Sequence, residues 1–460
     1  MWAGRFCAGA LIAAALVMGT GSKVRAQDAG PTSRPSDDAA WKAKMEQRVS
    51  TLEQENAELK AQKQVPPGSA GPGVFVARPG QVTPPDFDIR KYVAEGNFPG
   101  SIRIPGTNIS LQVGGFAQID VIADNHQIGS RNSFIVSSIP TGDEGAGQTT
   151  FSVKQTRLFL KTETPTSWGP FITYVEGDFF TSDGTNLRLR HAYGQIGDQH
   201  QFLAGQTWTT FMDASVYPAI FDYQGPNSMV LLRQPLLRYT EKCSDELEWR
   251  IAIEDPSPDI SHASNVNGSG TAQWPDFAGN VRWMPKWGHL QFSGILRELQ
   301  FDPATGHRTT AVGWGLNLTG AVNVLKPVAE GKQDNIMFQI AGGEGIANYI
   351  NDTNGLALDG FVKANGDIEA IGTVGGYVAY QHYWCAKWAT TVGYSYLQMY
   401  PVAGQSPSAY KAGHYAVANI MFYPTDRIWI GIEALYGVRR DVNGSTGDDG
   451  RLSFSVQYRF

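Results

Sequence analysis

The sequence contains little cysteine and no hydrophobic run long enough to cross a bilayer as a helix. Its three cysteines are Cys7, Cys243 and Cys385, and the first lies in an N-terminal segment that we expect to be cleaved. Two remaining cysteines do not make the disulfide framework of a small secreted domain. They fall in predicted tight turns far apart in strand order, so we expect them to be unpaired. The apolar run of residues 6–18 is shorter than the roughly 20 residues of a transmembrane helix.

That short run instead predicts secretion. It follows Arg5 and precedes Val-Arg-Ala at residues 24–26, which is the arrangement of a secretory signal peptide. We therefore expect residues 1–26 to be removed. The chain carries 43 acidic and 37 basic side chains, a formal charge of −6, and the signal peptide removes only basic ones. This acidic balance makes nucleic acid a poor partner.

Aromatic residues and glycine are abundant, with 12 Trp, 18 Tyr, 22 Phe and 52 Gly, yet the mean hydropathy is only −0.25. Transmembrane β-barrels combine these properties, because lipid-facing apolar residues alternate with polar residues that face the lumen. The last ten residues show this alternation, ending on Phe460. Their apolar positions share one face of a strand: Leu452, Phe454, Val456, Tyr458 and Phe460. The alternative is an amphipathic strand of a secreted soluble β-protein.

From residue 109 onward, the chain repeats an extended amphipathic segment followed by a turn about sixteen times. Tight turns alternate with longer connections, as expected for short periplasmic turns and longer outer loops. The connection at residues 325–334 is unusually long for the periplasmic side. We predict an all-β transmembrane barrel of about sixteen antiparallel strands over residues 106–460.

A coiled-coil helix is predicted before the barrel, within residues 27–63. Apolar residues and one asparagine recur at alternating spacings of four and three, as in the seam of a coiled coil, where a buried asparagine fixes the register. The seam is too short to be stable alone, which favours a periplasmic coiled coil between subunits over a solitary amphipathic helix. Residues 64–105 form a Pro- and Gly-rich linker and barrel lead-in. The seam residues are Met45, Val49, Leu52, Asn56 and Leu59.

Eight basic residues are predicted to line the lumen. Most alternate with apolar neighbours that must face lipid, so the cations face inward; Arg297 requires a bulge to stay in phase. Such side chains suit carboxylate solutes, because the planar arginine fork holds both oxygens. Alternatively, they pair with Glu176, Asp178, Glu248 and Glu254 and only brace the wall. The eight are Arg157, Lys161, Arg188, Arg190, Arg238, Arg250, Arg282 and Arg297.

The connection at residues 213–228 is the candidate constriction loop. It is long and rich in apolar and aromatic side chains, which folding into the lumen would shelter from water. The alternative is that it packs on a neighbouring subunit. Its candidate residues are Asp213, Tyr217, Phe221, Asp222 and Tyr223.

Signals for a metal or for catalysis are weak. His126, His191, His200 and His262 show no metal-ligand spacing, and alternation places His191, which follows Arg190, on the lipid or subunit side. A Ser-His-Asp triad assembles from distant positions, so spacing does not decide that question, but nothing points to one. We expect no enzymatic activity, no metal and no cofactor.

Three sequence stretches resemble the DcaP-like family of outer-membrane porins. They are SIRIPGT at residues 101–107 followed by GGF at 114–116, LAGQTW at 203–208, and LRQP at 232–235 leading to RYT at 238–240. The resemblance covers the barrel and the coiled-coil extension. It implies a trimeric porin of sixteen strands with periplasmic N-terminal helices, taking up small anionic organic acids.

The expected function is therefore passive diffusion of small anionic solutes, above all (di)carboxylates, into the periplasm. The expected partners are outer-membrane lipid, lipopolysaccharide and two further copies of the chain. The alternative is a structural or adhesive outer-membrane barrel that tethers the envelope and has a plugged lumen.

Overall fold

The computed structural model describes Ser50 and residues 94–142, 145–182 and 184–460. The chain divides into two units, Met1–Pro85 and Asp86–Phe460, and only the second is described in detail. The signal peptide, the coiled-coil seam and the linker up to residue 93 lie outside the described residues, apart from Ser50, and stay predictions. No helix in the described ranges is both long and apolar enough to cross a membrane.

Sixteen antiparallel strands form a closed barrel in the described part of the chain. Each strand pairs with the next, and the last pairs with the first from Arg451 opposite Asp124 to Arg459 opposite Phe116. This closure confirms the predicted fold class. The strands are β1 (Ser110–Asp124), β2 (Gln148–Ser152, continuing as Arg157–Thr166), β3 (Gly169–Asp178), β4 (Arg188–Ile196), β5 (His200–Trp208), β6 (Arg233–Lys242), β7 (Leu247–Glu254), β8 (Asp276–Trp283), β9 (Gly288–Pro303), β10 (Thr309–Asn323), β11 (Asn335–Glu344), β12 (Gly372–Cys385), β13 (Trp388–Tyr400), β14 (Tyr410–Thr425), β15 (Ile428–Asp441) and β16 (Thr446–Arg459).

Shorter strands and 3-10 helices lie at the two ends of the barrel. The lead-in strands Ala94–Glu95 and Ile102–Arg103 pair with each other, and the second pairs with the start of β1. Four further short strands are Ile260–His262, Gly268–Thr271, Gly360–Val362 and Ile368–Ala370, and three short 3-10 helices are Val136–Ser138, Ala214–Val216 and Ala347–Tyr349.

Strand alternation sorts the side chains by face. In β16, Leu452 and Phe454 are 51% and 43% exposed on the outside, whereas Arg451 and Ser455 are 4% and 0% exposed on the inside. A strand with one apolar and one polar face is stable in a membrane only with this orientation. Cys243 and Cys385 are not joined by a disulfide.

The two ends of the barrel differ, and we call them the turn end and the loop end. Three connections at the loop end fold inward: loop A (residues 125–142), loop B (residues 209–232) and loop C (residues 345–371). Loops B and C hydrogen-bond directly, since Asn351 N donates to Met229 O at 2.8 Å and Leu231 N to Tyr349 O at 2.9 Å. Their apolar side chains form the largest buried cluster, which includes Phe211, Val216, Ile346, Tyr349, Ile350, Leu397 and Met399. The main core of the described unit therefore lies inside the barrel.

Candidate functional site: an arginine-lined cavity beside loop B

A cavity of about 600 Å³ lies between loop B and the barrel wall. Aromatic side chains from both surfaces line it, including Tyr223 of loop B and Trp208 at the end of β5. Five arginines line it as well: Arg157, Arg188, Arg190, Arg233 and Arg459.

A β-bulge brings two neighbouring arginines of β4 into this site. Glu176 pairs with His191 and Gly177 pairs with Leu189, so Arg190 is an extra residue in β4. One extra residue reverses the alternation beyond it, and His191 therefore turns inward. It is 7% exposed, its Nδ1 lies 3.0 Å from Thr207 Oγ1, and its ring meets Trp208 edge-on. The expectation that His191 faces the lipid or a neighbouring subunit is wrong for this reason.

Two carboxylates of β3 hold the arginines in place. Arg188 Nη2 and Arg190 Nη1 each lie 2.8 Å from Asp178 Oδ2. Arg190 Nε lies 2.6 Å from Glu176 Oε1, and Arg157 Nε lies 3.6 Å from the same oxygen. Ion pairs thus hold part of the cationic surface in place. For Glu176 and Asp178, this agrees with the alternative interpretation that the arginines brace the wall.

Tyr223 of loop B reaches across to the same group. Its hydroxyl oxygen accepts hydrogen bonds from Arg190 Nη1 at 2.6 Å and from Arg188 Nη2, and it donates to Asp178 Oδ2 at 3.1 Å. Its ring stacks on Phe180, with centroids 3.8 Å apart and planes 14° from parallel. The tip of loop B is therefore fixed on the arginine cluster.

Arg233 and Arg459 belong to this cavity but were missed as candidates. Arg233 lies 4.5 Å over the ring of Trp208, and Arg459 Nε donates to Gln457 Oε1 at 3.0 Å. Leu231 and Pro235, two positions away on either side, are apolar, so alternation does not mark Arg233 as a lumen residue. The alternation of β16 placed Arg459 on the polar face, and this signal identifies it as a lumen residue.

Four predicted pore residues lie elsewhere on the inner wall or at the turn end. Lys161 Nζ lies 4.3 Å from the ring of Phe98, in the lead-in segment. Arg238 Nη1 donates to Trp208 O at 3.4 Å. Arg250 pairs with Glu248, and Arg282 Nη1 lies 2.9 Å from Asp213 Oδ1 of loop B. The cavity therefore collects only Arg157, Arg188 and Arg190 of the eight predicted residues.

Arg297 faces inward without the bulge that its sequence context required. Strand β9 keeps continuous register with β10 around it. The inward positions of this strand also carry apolar residues, including Ile295 and Leu299, which are buried inside the barrel. Arg297 itself is enclosed at the loop end, 2.8 Å from both Asp276 Oδ2 and Asp359 Oδ2. It braces loop C instead of lining the cavity.

Glu254 likewise differs from its expected role as an arginine partner. It accepts from Thr209 Oγ1 at 2.5 Å, Thr210 N at 2.7 Å and Gln234 Nε2 at 2.7 Å. It therefore fixes the start of loop B to the wall.

Loop B crosses the interior of the barrel to the far wall. Phe221 N and Asp222 N donate to the two carboxylate oxygens of Glu433 in β15, at 2.8 and 2.9 Å. Asn419 Nδ2 of β14 donates to Ala219 O at 2.9 Å. Within loop B, the hydroxyl of Tyr217 donates to Tyr223 O at 2.9 Å. These contacts place the loop in the lumen and not on a neighbouring subunit.

Asp213 anchors the other end of loop B. His289 Nε2 lies 2.8 Å from Asp213 Oδ2, and Arg282 lies at the other oxygen. Burial alone would raise the pKa of Asp213, but the hydrogen bond with His289 and the charge of Arg282 outweigh burial and hold the pKa well below its usual range.

Ser215, His289 and Asp213 lie together but do not form a catalytic triad. Ser215 Oγ donates to Asp213 Oδ1 at 2.5 Å and also lies 3.3 Å from His289 Nε2. Ser215 and Asp213 thus both contact Nε2 of His289. In a catalytic triad the serine and the carboxylate contact different nitrogens of the imidazole ring. Within the described ranges, no group of His, Cys, Asp and Glu is arranged to hold a metal ion.

The comparisons with known proteins agree with this architecture. The family model described as DcaP outer membrane protein matches residues 106–460. The outer membrane channel DcaP of Acinetobacter baumannii superimposes with a TM-score of 0.67 at 19% identity, covering 78% of this chain and 99% of that one. An anion-selective porin from Comamonas acidovorans gives a TM-score of 0.54 at 10% identity, covering 76% and 100%. No curated protein matches the sequence.

The two solved structures share the barrel fold with this chain, and the family match extends over well more than half of its length. It is a porin-like barrel of the bacterial outer membrane, and it belongs to the DcaP outer membrane protein family.

Proposed function

We propose that this barrel is a channel for passive diffusion of small anionic solutes, with carboxylates and dicarboxylates as the preferred class. One observation carries the proposal. Beside the loop that narrows the lumen, Arg157, Arg188, Arg190 and Arg233 adjoin two wall carboxylates, Glu176 and Asp178, and the loop itself adds Asp222 to the cavity lining. The cavity surface is therefore cationic, although the chain as a whole is acidic.

Local charge outweighs total charge at such a site. Selectivity is decided where a solute loses water and approaches charged groups closely, within a Debye length of about 8 Å at physiological salt. Acidic residues in exposed connections, such as Asp255 and Asp367, lie in solvent that screens them. Arginine forks also match the two oxygens of a carboxylate.

The wider assembly belongs to the same proposal. A trimer joined by the predicted coiled coil, contact with lipopolysaccharide and the absence of catalysis are what the family resemblance implies. An anion-selective porin among the proteins of similar fold supports the ion preference.

The test is the reversal potential of the purified full-length protein in a planar bilayer under a KCl gradient. We expect a chloride preference and a reduction of the current by added succinate. As a control, Arg308→Gln removes one positive charge and should keep this preference, because Arg308 pairs with Asp302 and does not line the cavity. A wild-type channel that prefers potassium would overturn the proposal.

The structural alternative, a barrel with a plugged lumen, is favoured by one observation. Loops A, B and C join in the lumen, with Phe134 N donating to Asp222 Oδ1 at 2.8 Å and Ser137 N to Asp352 Oδ2 at 3.0 Å. If reconstituted protein produces no conductance steps while remaining folded, the barrel is a structural element of the envelope and not a channel.

A further inference from the structure

We propose that the hydroxyl oxygen of Tyr223 occupies the carboxylate-binding site of this channel and that a passing carboxylate displaces it. This inference rests on the proposed function and deepens it, since it identifies where the solute binds and what holds that place when the solute is absent. The site consists of Arg188, Arg190 and Arg233 around the tip of loop B.

The first argument is the number of donors around one oxygen. Arg190 and Arg188 both donate to the Tyr223 hydroxyl, and Arg233 lines the same cavity. A phenol oxygen has two lone pairs, so these two guanidinium groups use its full accepting capacity and none remains for Arg233. A carboxylate offers two oxygens, about four lone-pair positions and a full negative charge. The solute is therefore the better partner for the same donors.

The second argument is the charge that remains at Arg233. Arg188 and Arg190 have Asp178 and Glu176 as ion-pair partners. Arg233 forms no ion pair within the part of the chain that the structure describes, and it rests on the face of Trp208 at 4.5 Å. No carboxylate therefore neutralises the charge of Arg233. Of the three arginines at this site, Arg233 attracts an anion most strongly.

The third argument is access. Tyr223 and the three arginines all line the open cavity of about 600 Å³, and the Arg188 side chain is 34% exposed. The backbone beside Tyr223 is fixed by Glu433 on one side and by Asn351, which donates to Gln224 O at 2.6 Å, on the other. Displacement therefore requires rotation of the tyrosine side chain and not movement of the loop.

The test compares two single variants and their combination. Tyr223→Phe keeps the ring that stacks on Phe180 and removes the competing oxygen together with its hydrogen bond to Asp178. We expect succinate to reduce the channel current at a concentration about three- to tenfold lower than in the wild type. In the variant, succinate binds the arginines without first breaking their hydrogen bonds to the Tyr223 hydroxyl. Arg233→Gln should raise that concentration by about tenfold in either background.

Controls and contrary outcomes separate this inference from the proposed function. Tyr396→Phe removes a hydroxyl that binds Gln398 on β13, away from the cavity, and should leave the succinate response unchanged. A heat-dependent shift in gel mobility confirms that each variant is folded. If the wild type is anion-selective but Tyr223→Phe responds to succinate as the wild type does, this inference is wrong and the proposed function stands. If the wild type prefers cations, both are wrong.

Discussion

At the scale of single residues, the arginines of β4 divide into structural and solute-facing groups. Sequence alternation predicted that Arg188 and Arg190 face inward, and the structure places both at the cavity. Alternation did not reveal the bulge at Arg190, because a bulge depends on pairing with β3 and the mixed small and polar residues after Arg190 hide the reversed alternation. The bulge buries Arg190 to 4% exposure beside two carboxylates.

The first prediction concerns Arg190→Ala. Removing this guanidinium leaves Asp178 and Glu176, which are 0% and 7% exposed, with less compensation for their charge. Breaking a buried ion pair from one side costs about 3 kcal/mol or more, so we expect a clear fall in the urea midpoint of the barrel refolded in detergent. Arg308→Ala breaks a pair whose arginine side chain is 54% exposed and should change the stability by less than about 1 kcal/mol. Equal effects of the two variants would contradict the structural role of Arg190.

At the scale of elements, the sequence predicts the strands, but it predicts only one of the three loops that fold inward. Period-two alternation identifies β16 and its neighbours because one face meets lipid. Loop B was expected in the lumen from its aromatic content, but loops A and C were not. Their apolar residues, such as Phe134 and Tyr349, pack on inward wall residues, such as Tyr415 and Leu397. Such packing between distant segments has no local period in the sequence.

The second prediction is that the packing of loops A and C weakens as the pH rises. Burial raises the pKa of Asp352 to about 7, against about 3.9 in an unfolded chain. The folded state therefore holds the proton over this interval, and the stability of the packed loops falls as the pH rises from about 4 to about 7. The groups facing Asp352 are the backbone of Ser137, the hydroxyl of Tyr410 and the more distant Arg439.

Hydrogen–deuterium exchange of the Ser137 amide measures this effect. After correction for the intrinsic rate, we expect exchange at pH 8 to be several times faster than at pH 5. Asp352→Asn should remove the pH dependence, whereas Asp367→Asn, an exposed carboxyl of loop C that binds Asn365, should preserve it. Persistence of the pH dependence in Asp352→Asn would assign it to another buried carboxyl, such as Asp222, whose pKa burial raises to about 6.

At the scale of the whole molecule, the closed barrel is complete within residues 110–459. The even strand number and the alternation of turn and loop lengths predicted this architecture from the sequence, because a membrane barrel requires every strand edge to be paired. The position of the lead-in segment was not predicted. Where the pairing of β1 with β16 ends, Phe460 N donates to Gly115 O at 3.1 Å. Nearer the start of β1, the strand Ile102–Arg103 pairs with Leu111 and Ser110.

The third prediction follows from this seam and compares two deletions. Removing residues 27–93 takes away the predicted coiled coil and linker but leaves all sixteen strand pairings, so we expect a folded barrel with normal heat-dependent gel mobility. Removing residues 27–105 also exposes the unpaired edge of β1 and the buried Ser110 and removes Phe98 from Lys161. Because an open strand edge is costly at a membrane surface, the longer deletion should unfold at a temperature several degrees lower. Failure of the shorter deletion to fold would show that the barrel depends on the N-terminal unit, and equal stability of both would show that the lead-in strand does not stabilise the seam.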